Sequence, residues 1–391
     1  MLRFQTAGES HGQGLVAVLS GLPAGLRVDF AYVDRELKRR QGGYGRGGRM
    51  KIECDHAQFL SGVRHGETIG SPITILIENR DWENWKEALA VEDRPESRAK
   101  HKPLSPPRPG HADLAGCLKF NFREARYVLE RASARETAAR VALGTLAKLF
   151  LKEFGIEVAS HVVAVGEAAI GDENVPFELI MALRERQEIV LNCVDAGAEA
   201  RMKEEVDSAL KTKDSVGGIF EVVAHGTPPG LGSCAQWDEK LDGQLAQAVM
   251  SIQAVKGVEV GTGIENAATF GSRVHDEIGY DRGKTRFIRK TNRAGGLEGG
   301  ITNGEDIVVR GYLKPISTLR QPLESVDFES KETVKAAYER SDVCVVPAAG
   351  VIGEAMVALI LARAFLEKFG GDSMGETRRN YDGYRDQVRL F

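Results

Sequence analysis

Arginines in a glycine-rich segment are the first residues of this chain that could do chemistry. Residues 39–49 place four guanidinium groups between glycines: Arg39, Arg40, Arg46 and Arg49. Forked guanidinium groups suit carboxylates and phosphates. The segment is also similar to an RGG sequence that binds RNA, or it is a solvated loop with no role. Tyr44 is the only aromatic residue there, and the chain has a net charge of −4, which disfavours RNA.

A second group of arginines lies at a predicted helix start. Ser133 and Glu136 form an S-x-x-E capping box, so the pattern predicts Ser133 as the N-cap. Arg131 and Arg135 lie beside it, where a cation is disfavoured by about 0.3–1 kcal/mol. An anion bound between them would offset that cost. Alternatively, these arginines extend into solvent or pair with Glu124 or Glu130, and both interpretations stay open.

Two histidines and an Arg-Ser-Asp triplet complete the candidate site. His11 and His111 lie in glycine-flanked loops, where a histidine is usually a surface residue but can also act as an acid near neutral pH. Arg340 and Asp342 are two residues apart, which is typical of a structural ion pair. If they share a cleft with the arginines, Asp342 is the candidate base and Arg340 another anion ligand. The other six histidines lack ligand spacing, so no metal site is predicted.

Composition and missing motifs limit the function further. The chain has 391 residues, of which 42% are hydrophobic and 28% charged, as in an ordinary globular protein. Its five cysteines are scattered and form no CxxC pair, which indicates a reducing, cytoplasmic compartment. No signal peptide is visible, and the longest apolar stretch, 355–361, is expected to be too short to span a bilayer. A Walker A motif is absent. The letters G-x-S-x-G at 8–12 and G-x-G-x-x-G at 43–48 do not follow a predicted strand and open a helix, so neither a nucleophile elbow nor a dinucleotide fingerprint is predicted.

The elements that must position these residues follow from hydrophobic periodicity. The pattern predicts strands at 15–19, 73–77, 158–166, 188–192 and 216–224, and helices at 29–40, 133–155, 198–212, 240–250, 333–338 and 351–369. Residues 81–107 have no periodicity and are expected to form a long mobile loop. Residues 372–391 are expected to be a peripheral tail. A strand, a G-x-P turn and a helix occur twice, which suggests two related halves.

Three motifs resemble signatures of the chorismate synthase family. They are residues 8–12 with the following 15–23, residues 130–146 around Ser133-Ala134-Arg135, and residues 340–354. Five further segments also match the family's pattern: 39–49, 108–111, 253–257, 292–296 and 314–318. The resemblance covers nearly the whole chain, and only 81–107 and the C-terminal tail offer nothing to match.

The resemblance implies a carbon–oxygen lyase. It would convert 5-enolpyruvylshikimate 3-phosphate to chorismate and phosphate by a 1,4-anti elimination that needs reduced FMN. This is the final common step of the shikimate pathway to aromatic amino acids. The implied fold is α+β: a single domain over 1–391 with a β-α-β sandwich of antiparallel sheets around helices, in pseudo-duplicated halves. A cytoplasmic homotetramer is implied, without membrane or nucleic acid. NADPH as the source of electrons and an external flavin reductase both stay open.

The resemblance also assigns roles to residues. His11 would protonate the departing phosphate, His111 would stabilise the reduced flavin, and Asp342 would act with flavin N5 in removing the ring proton. The implied substrate ligands are Arg40, Arg46, Arg49, Arg135 and Arg340, and the first two would also bind any NADP. The implied FMN ligands are Arg108, Ser133, Ala134, Arg135, Gln253, Ala254, Gly299, Lys314, Pro315, Ile316, Ser317, Thr318 and Arg340. An RNA-binding module and a flavin-independent phosphate lyase are the competing functions.

Overall fold

The described part of the chain contains two larger antiparallel sheets, four two-stranded sheets and several buried helices in a computed structural model. It describes residues 1–47, 54–93, 95–101, 103–171, 174–186, 190–283, 285–337 and 342–391. The strands are β1 Arg3–Ala7, β2 Gly14–Ser20, β3 Gln58–Ser61, β4 Val63–Arg64, β5 Glu67–Thr68, β6 Ile73–Glu78, β7 Glu157–Val165, β8 Ala168–Ala169, β9 Gly218–His225, β10 Val255–Val260, β11 Ile278–Asp281, β12 Arg286–Arg289, β13 Leu297–Glu298, β14 Ile301–Thr302, β15 Ile307–Leu313, β16 Glu324–Val326 and β17 Thr333–Lys335.

The helices account for most of the core. They are α1 Phe30–Gln41, α2 Pro95–Lys100, α3 Asp113–Phe120, α4 Arg126–Ala132, α5 Thr137–Lys152, α6 Phe177–Ala182, α7 Ala196–Thr212, α8 Leu241–Met250, α9 Gly263–Asn266, α10 Gly271–Val274, α11 Val346–Phe369 and α12 Met374–Leu390. Short 3-10 helices occur at Arg80–Asn84, Ala134–Glu136 and Leu183–Glu185.

Each sheet covers a different central helix. The first sheet has the order β1-β2-β6-β3 and packs on α5, and the second has the order β10-β15-β9-β7-β8 and packs on α11. In β2 every second side chain is buried, the alternation of a strand with one face on the core. The predicted antiparallel sheets and helices are confirmed. The strand-turn-helix order does recur, β2 before α1 and β9 before α8, but duplicated halves stay a prediction.

Helices α5 and α11 meet where α5 has a glycine. A Cβ built on Gly144 would lie 2.3 Å from the Ala355 Cβ and 2.5 Å from its Cα. Both distances are far below van der Waals contact, so the two helix backbones approach as closely as they do only because residue 144 has no side chain.

Alanine at Gly144 is therefore expected to lower the free energy of unfolding by about 1–3 kcal/mol, the usual cost of overpacking a core. Gly243 in α8 is the matched control, because a Cβ there meets nothing within 4 Å. Gly243→Ala should be neutral or should stabilise the chain by up to about 1 kcal/mol through helix propensity. Urea denaturation of both variants measures the difference, and equal stabilities would contradict the close approach.

Helix α11 is long and apolar enough to cross a bilayer. Mean hydropathy reaches 1.9 over an 18-residue window, but 94% of that window is buried inside the protein. The length of the run at 355–361 therefore does not by itself exclude a span, because α11 extends the apolar segment to 24 residues. Its burial is what a core helix shows.

The predicted helix at 133–155 consists of two parts, a 3-10 turn at Ala134–Glu136 and then α5 from Thr137 to Lys152. Helix α4 ends just before them, at Ala132. Ser133 does cap the turn, since its Oγ accepts from the backbone N–H of Arg135 at 3.3 Å. The predicted capping box does not form, because the Glu136 carboxylate accepts hydrogen bonds from Thr6 and Arg140 instead.

Two further element predictions fail in part. Residues 333–338 were expected to be helical, but Thr333–Lys335 is strand β17, paired with β16, and Tyr338 lies outside the described residues. Of the strand expected at 188–192, residues 190–192 are described and form no strand. β-Branched Thr333 and Val334 fit a strand, and the cross-strand partner outweighs the weak helical spacing.

The remaining predicted elements agree within a few residues. They are β2, β6, β7 and β9 among the strands, and α1, α7, α8 and α11 among the helices. Residues 81–107 contain α2 and most of the first 3-10 helix, and their mobility stays a prediction. The C-terminal segment 372–391 forms α12, which buries Thr377 and Tyr381 and leaves most other side chains exposed.

Candidate active site

His11 is held by a glutamate from α4. Its Nδ1 lies 2.9 Å from Glu130 Oε1, and its backbone N–H donates to Glu130 Oε2 at 2.7 Å. The carboxylate is buried and the imidazole is 13% exposed. A carboxylate accepts hydrogen bonds, so Nδ1 carries the proton.

An aromatic ring and a second cation surround this pair. The Trp85 ring centroid lies 4.4 Å from that of His11, and the Arg126 guanidinium lies over Trp85 at 5.2 Å. Arg126 also approaches Glu130, with Nη1 3.8 Å from Oε1. Trp85 belongs to segment 81–107, so part of this segment packs against His11, the predicted acid.

Arg40 reaches from α1 into the turn before α5. Its Nε donates to Thr137 Oγ1 and its Nη2 to the Ala134 carbonyl, both at 2.8 Å. Nη1 is buried and has no hydrogen-bond partner among the described residues, although Asp55 lies 3.6 Å away. Burial, with Arg135 and Arg46 nearby, outweighs the attraction of Asp55 and lowers the pKa of Arg40 to about 9. The group is therefore still charged at neutral pH and suited to an added anion.

Arg46 and Asp342 meet beside this group. Arg46 Nη1 lies 3.1 Å from Asp342 Oδ2, and the Gly47 N–H donates to Oδ1 at 2.5 Å. The predicted base therefore lies against the glycine-arginine loop. Arg49 and Arg340 fall outside the described residues.

Arg135 and Arg131 do not hold a common space for an anion. Arg135 donates to both Asp55 oxygens at 2.6 and 2.7 Å and to Asn79 at 2.9 Å. Arg131 donates to the Thr6 carbonyl at 2.8 Å and reaches Gly8. The expected anion site between these two arginines is wrong, because each guanidinium binds a different segment. Arg135 instead joins Arg40 at Asp55.

His111 forms a second histidine–carboxylate pair. Its Nδ1 lies 2.5 Å from Asp113 Oδ1, and Arg108 Nε donates to Oδ2 at 2.8 Å. Asp113 is fully buried. Burial alone would raise the pKa of Asp113, but the bonds from His111 and Arg108 outweigh it and lower that pKa. Arg108 also donates to Thr318 Oγ1 at 3.0 Å, so two predicted FMN ligands meet here.

The predicted FMN ligands form a connected path between the two histidine loops. Lys314 Nζ donates to the Gly110 carbonyl, and the Lys314 N–H donates to the Ala254 carbonyl at 3.0 Å. Gln253 Nε2 then donates to Glu136 at 3.4 Å. On the His11 side, Ser133 Oγ lies 3.1 Å from Ser10 Oγ. Gly299 lies in the β13–β14 turn, away from these contacts.

Sequence reasoning missed the acidic and aromatic partners of the site. They are Asp55, Asn79, Trp85, Asp113 and Glu130. The spacing of His111 and Asp113 could have suggested the second pair. Glu130 is 119 residues from His11, and no local pattern connects them.

The chain is similar to known proteins over its whole length. The family model described as chorismate synthase matches residues 2–366. A protein of Koribacter versatilis named chorismate synthase is 64% identical over 395 residues, with all of both chains covered. The chain belongs to the chorismate synthase family. A protein of the same name from Acidobacterium capsulatum is 65% identical, again over both whole chains.

A solved structure supports the family membership at the level of the fold. It is titled as a crystal structure of chorismate synthase and is 42% identical to this chain, with a TM-score of 0.79. The match covers 100% of this chain and 99% of the other. Family members therefore share both the sequence pattern and the two antiparallel sheets with helices described above.

Proposed function

We propose that the chain converts 5-enolpyruvylshikimate 3-phosphate to chorismate and phosphate by a 1,4-anti elimination that needs reduced FMN. Family membership supports this reaction, which is the last common step of the shikimate pathway. The observation that carries it is the meeting of Arg40, Arg46 and Arg135 with Asp55 and Asp342. Three guanidinium groups face two carboxylates, so the described cluster retains positive charge for a substrate with two carboxylates and a phosphate.

Residues of the chain fit a polar cofactor. Gln253 Oε1 is buried without a hydrogen-bond partner in the described part of the chain, and an unpaired buried oxygen is costly unless a ligand completes it. Gln253, Arg108 and the 314–318 loop would hold FMN, with Ser133 and Ala134 on the opposite side. When bound and reduced, FMN would supply electron density as phosphate leaves and take up the hydrogen lost from the ring.

In its doubly protonated form, His11 would give the Nε2 proton to the departing phosphate and become the neutral ring with its proton on Nδ1, toward Glu130. Glu130 binds both the backbone N–H and the Nδ1 side of the same residue, so it fixes the orientation and tautomer of the ring. Trp85 packs on the ring and excludes water from one face. The histidine would therefore need little reorganisation when the carbon–oxygen bond breaks.

His111 and Asp342 would act on the other side of the reaction. Asp113 and Arg108 hold the His111 ring through Nδ1, so its Nε2 would interact with the reduced cofactor. Asp342 would assist in removing the ring proton, and its contacts with Arg46 and the Gly47 N–H place it beside the substrate ligands.

Glu130→Gln tests the orienting contact. In this variant, the glutamine side-chain oxygen would accept the His11 backbone N–H, and the side-chain N–H group would then face Nδ1. Two donors facing each other disfavour a proton on Nδ1. We expect kcat to fall about 10- to 100-fold, as when an orienting partner is removed from a functional histidine elsewhere, with little change in KM. Steady-state kinetics measure both parameters.

The matched control for this variant is Glu124→Gln. Glu124 also binds a histidine, His101, at 2.7 Å, but that pair lies outside the proposed machinery. It should keep wild-type kcat. Equal losses in both variants would show a general folding effect, and full activity of Glu130→Gln would remove Glu130 from the mechanism.

The reaction itself is tested by anaerobic turnover. Purified protein is mixed with FMN, dithionite and 5-enolpyruvylshikimate 3-phosphate, and chorismate absorbance is followed beside an unreduced sample. Product only with reduced flavin is expected. Folded protein that gives no product with reduced flavin would overturn the assignment.

The same proposal covers the electron source and assembly. NADPH in place of dithionite tells whether the chain reduces its own flavin, with Arg40 and Arg46 as the proposed NADP ligands, or depends on an external reductase. A cytoplasmic homotetramer is the proposed form of the enzyme, and light scattering of the purified protein measures its molar mass.

A further inference from the structure

A cavity of 760 Å³ lies beside α1. One face of α1, the last turn of α5, the start of β7 and residues 181–186 line it. Arg39 faces this cavity, whereas its neighbour Arg40 reaches the turn before α5. The volume is within the usual range of small-molecule sites, and no step of the proposed reaction uses it.

The floor of the cavity is a buried ionic cluster. Glu354 accepts hydrogen bonds from Arg39 Nη2 at 2.8 Å, from Arg184 Nη2 at 2.9 Å and from Lys148. Glu36 accepts from Arg39 at 2.9 Å and from Lys148 at 2.6 Å. Three cations thus share two carboxylates. A residual positive charge remains at the closed end of the cavity, where water screens it weakly.

Cations without a carboxylate partner lie around this floor. Arg35, Lys38 and Lys152 are exposed and form no ion pair in the described ranges, and the Arg35 guanidinium lies over the Tyr32 ring at 4.9 Å. Arg184 Nε is buried and has no hydrogen-bond partner there. Seven lining side chains are basic and four are acidic. Glu354 beneath the floor and Glu199, which pairs with Arg186 at 3.1 Å, bring the carboxylates to six, so one net positive charge remains. The lining therefore favours an anion.

The walls between these charges are partly apolar. Tyr32 lies on the α1 side, Leu149 on the α5 side, and Met181 and Leu183 on the opposite wall. A fully hydrated inorganic ion would leave this surface unused. A ligand with an apolar ring or chain would bury it and gain about 25 cal/mol per Å² of apolar area.

We infer that this cavity is a second binding site, for a small organic anion with two acidic groups on an apolar ring or chain. One acidic group would meet the residual charge near Arg184, and the other would meet Lys38 and Lys152 at the rim. The inference goes beyond the proposed function and does not depend on it.

Calorimetric titration with isophthalate, a benzene ring with two carboxylates, tests the site. It is done on the full chain without flavin or substrate, so its outcome is independent of the proposed reaction. We expect saturable binding of one isophthalate per chain, at least tenfold tighter than inorganic phosphate. Lys38→Glu with Lys152→Glu should weaken isophthalate binding at least tenfold, whereas kcat should stay unchanged.

Lys119→Glu with Lys211→Glu is the matched control. All four lysines lie in the last turn of their own helices, so both double variants change net charge and helix-dipole interactions alike. The control should bind isophthalate as the wild type does. Circular dichroism of each variant shows that it folds.

Three outcomes would overturn the inference. One is the absence of saturable isophthalate binding to wild-type protein. Another is equal affinity in the Lys38/Lys152 variant, which would place the ligand elsewhere, for example at the Arg40 cluster. A third is a changed molar mass of that variant in light scattering, which would make the cavity a contact between subunits.

Discussion

Replacing His11 by alanine is expected to lower kcat by about 10²- to 10⁴-fold, the usual contribution of general acid catalysis. The chain should still fold and bind FMN, because the imidazole is at the surface of the site and contacts Glu130 and Trp85 rather than the core. Anaerobic turnover with saturating reduced FMN measures kcat, and fluorescence titration measures FMN binding.

A double-mutant cycle tests whether Glu130 acts through His11. If Glu130 acts only by orienting the imidazole, Glu130→Gln should cause no further loss in a His11→Ala background. The double-mutant cycle then gives a coupling as large as the single Glu130 effect. Additive losses would mean that Glu130 acts on substrate or cofactor directly, and undiminished turnover of His11→Ala would remove this histidine from the reaction.

Glu354→Gln is expected to cost about 3–5 kcal/mol of unfolding free energy, the usual effect of breaking a buried ion pair. The carboxylate is fully buried in α11 and bonds Arg39, Lys148, Arg184 and Ser160. Glutamine has nearly the same volume, so packing is kept. Arg39, Lys148 and Arg184 would then have Glu36 as the one remaining carboxylate of the described cluster, which leaves positive charge uncompensated beside the core.

The pH dependence of this effect has a definite sign. Burial alone would raise the pKa of Glu354, but Arg39, Lys148 and Arg184 outweigh it and hold that pKa well below its ordinary value of 4.5. A depressed pKa stabilises the fold above the unfolded-state pKa of about 4.3. That contribution is lost as pH falls through the folded-state pKa. Wild type and Glu354→Gln should therefore differ most near neutral pH and converge in acid.

Glu367→Gln is the control on the same helix. Glu367 is 43% exposed and its nearest cation, Arg363, is 3.9 Å away, so its removal should change stability by less than about 1 kcal/mol. Urea denaturation from neutral to acidic pH measures all three proteins. A difference that stays constant with pH would contradict the role of the Glu354 charge.

Local pattern in the sequence determined several elements and the main chemistry-bearing residues. Asp29 and the apolar spacing behind it specify α1, and alternation or apolar runs specify β2, β6 and β9, because these signals act between near neighbours. His11, His111 and the arginines stood out for the same reason: glycine-rich segments around them are visible in the printed chain. Family membership followed from the spacing of such motifs.

Tertiary contacts decided the rest. The Ser133–Glu136 capping box failed because Thr6 and Arg140 take the glutamate, and residues 333–335 became a strand because β16 lies beside them. The carboxylates of the site could not be identified from the sequence for the same reason. Arg135 finds Asp55 80 residues away and His11 finds Glu130 119 residues away. A buried charge takes whichever partner the fold brings within hydrogen-bond distance, and sequence neighbours alone do not specify that partner.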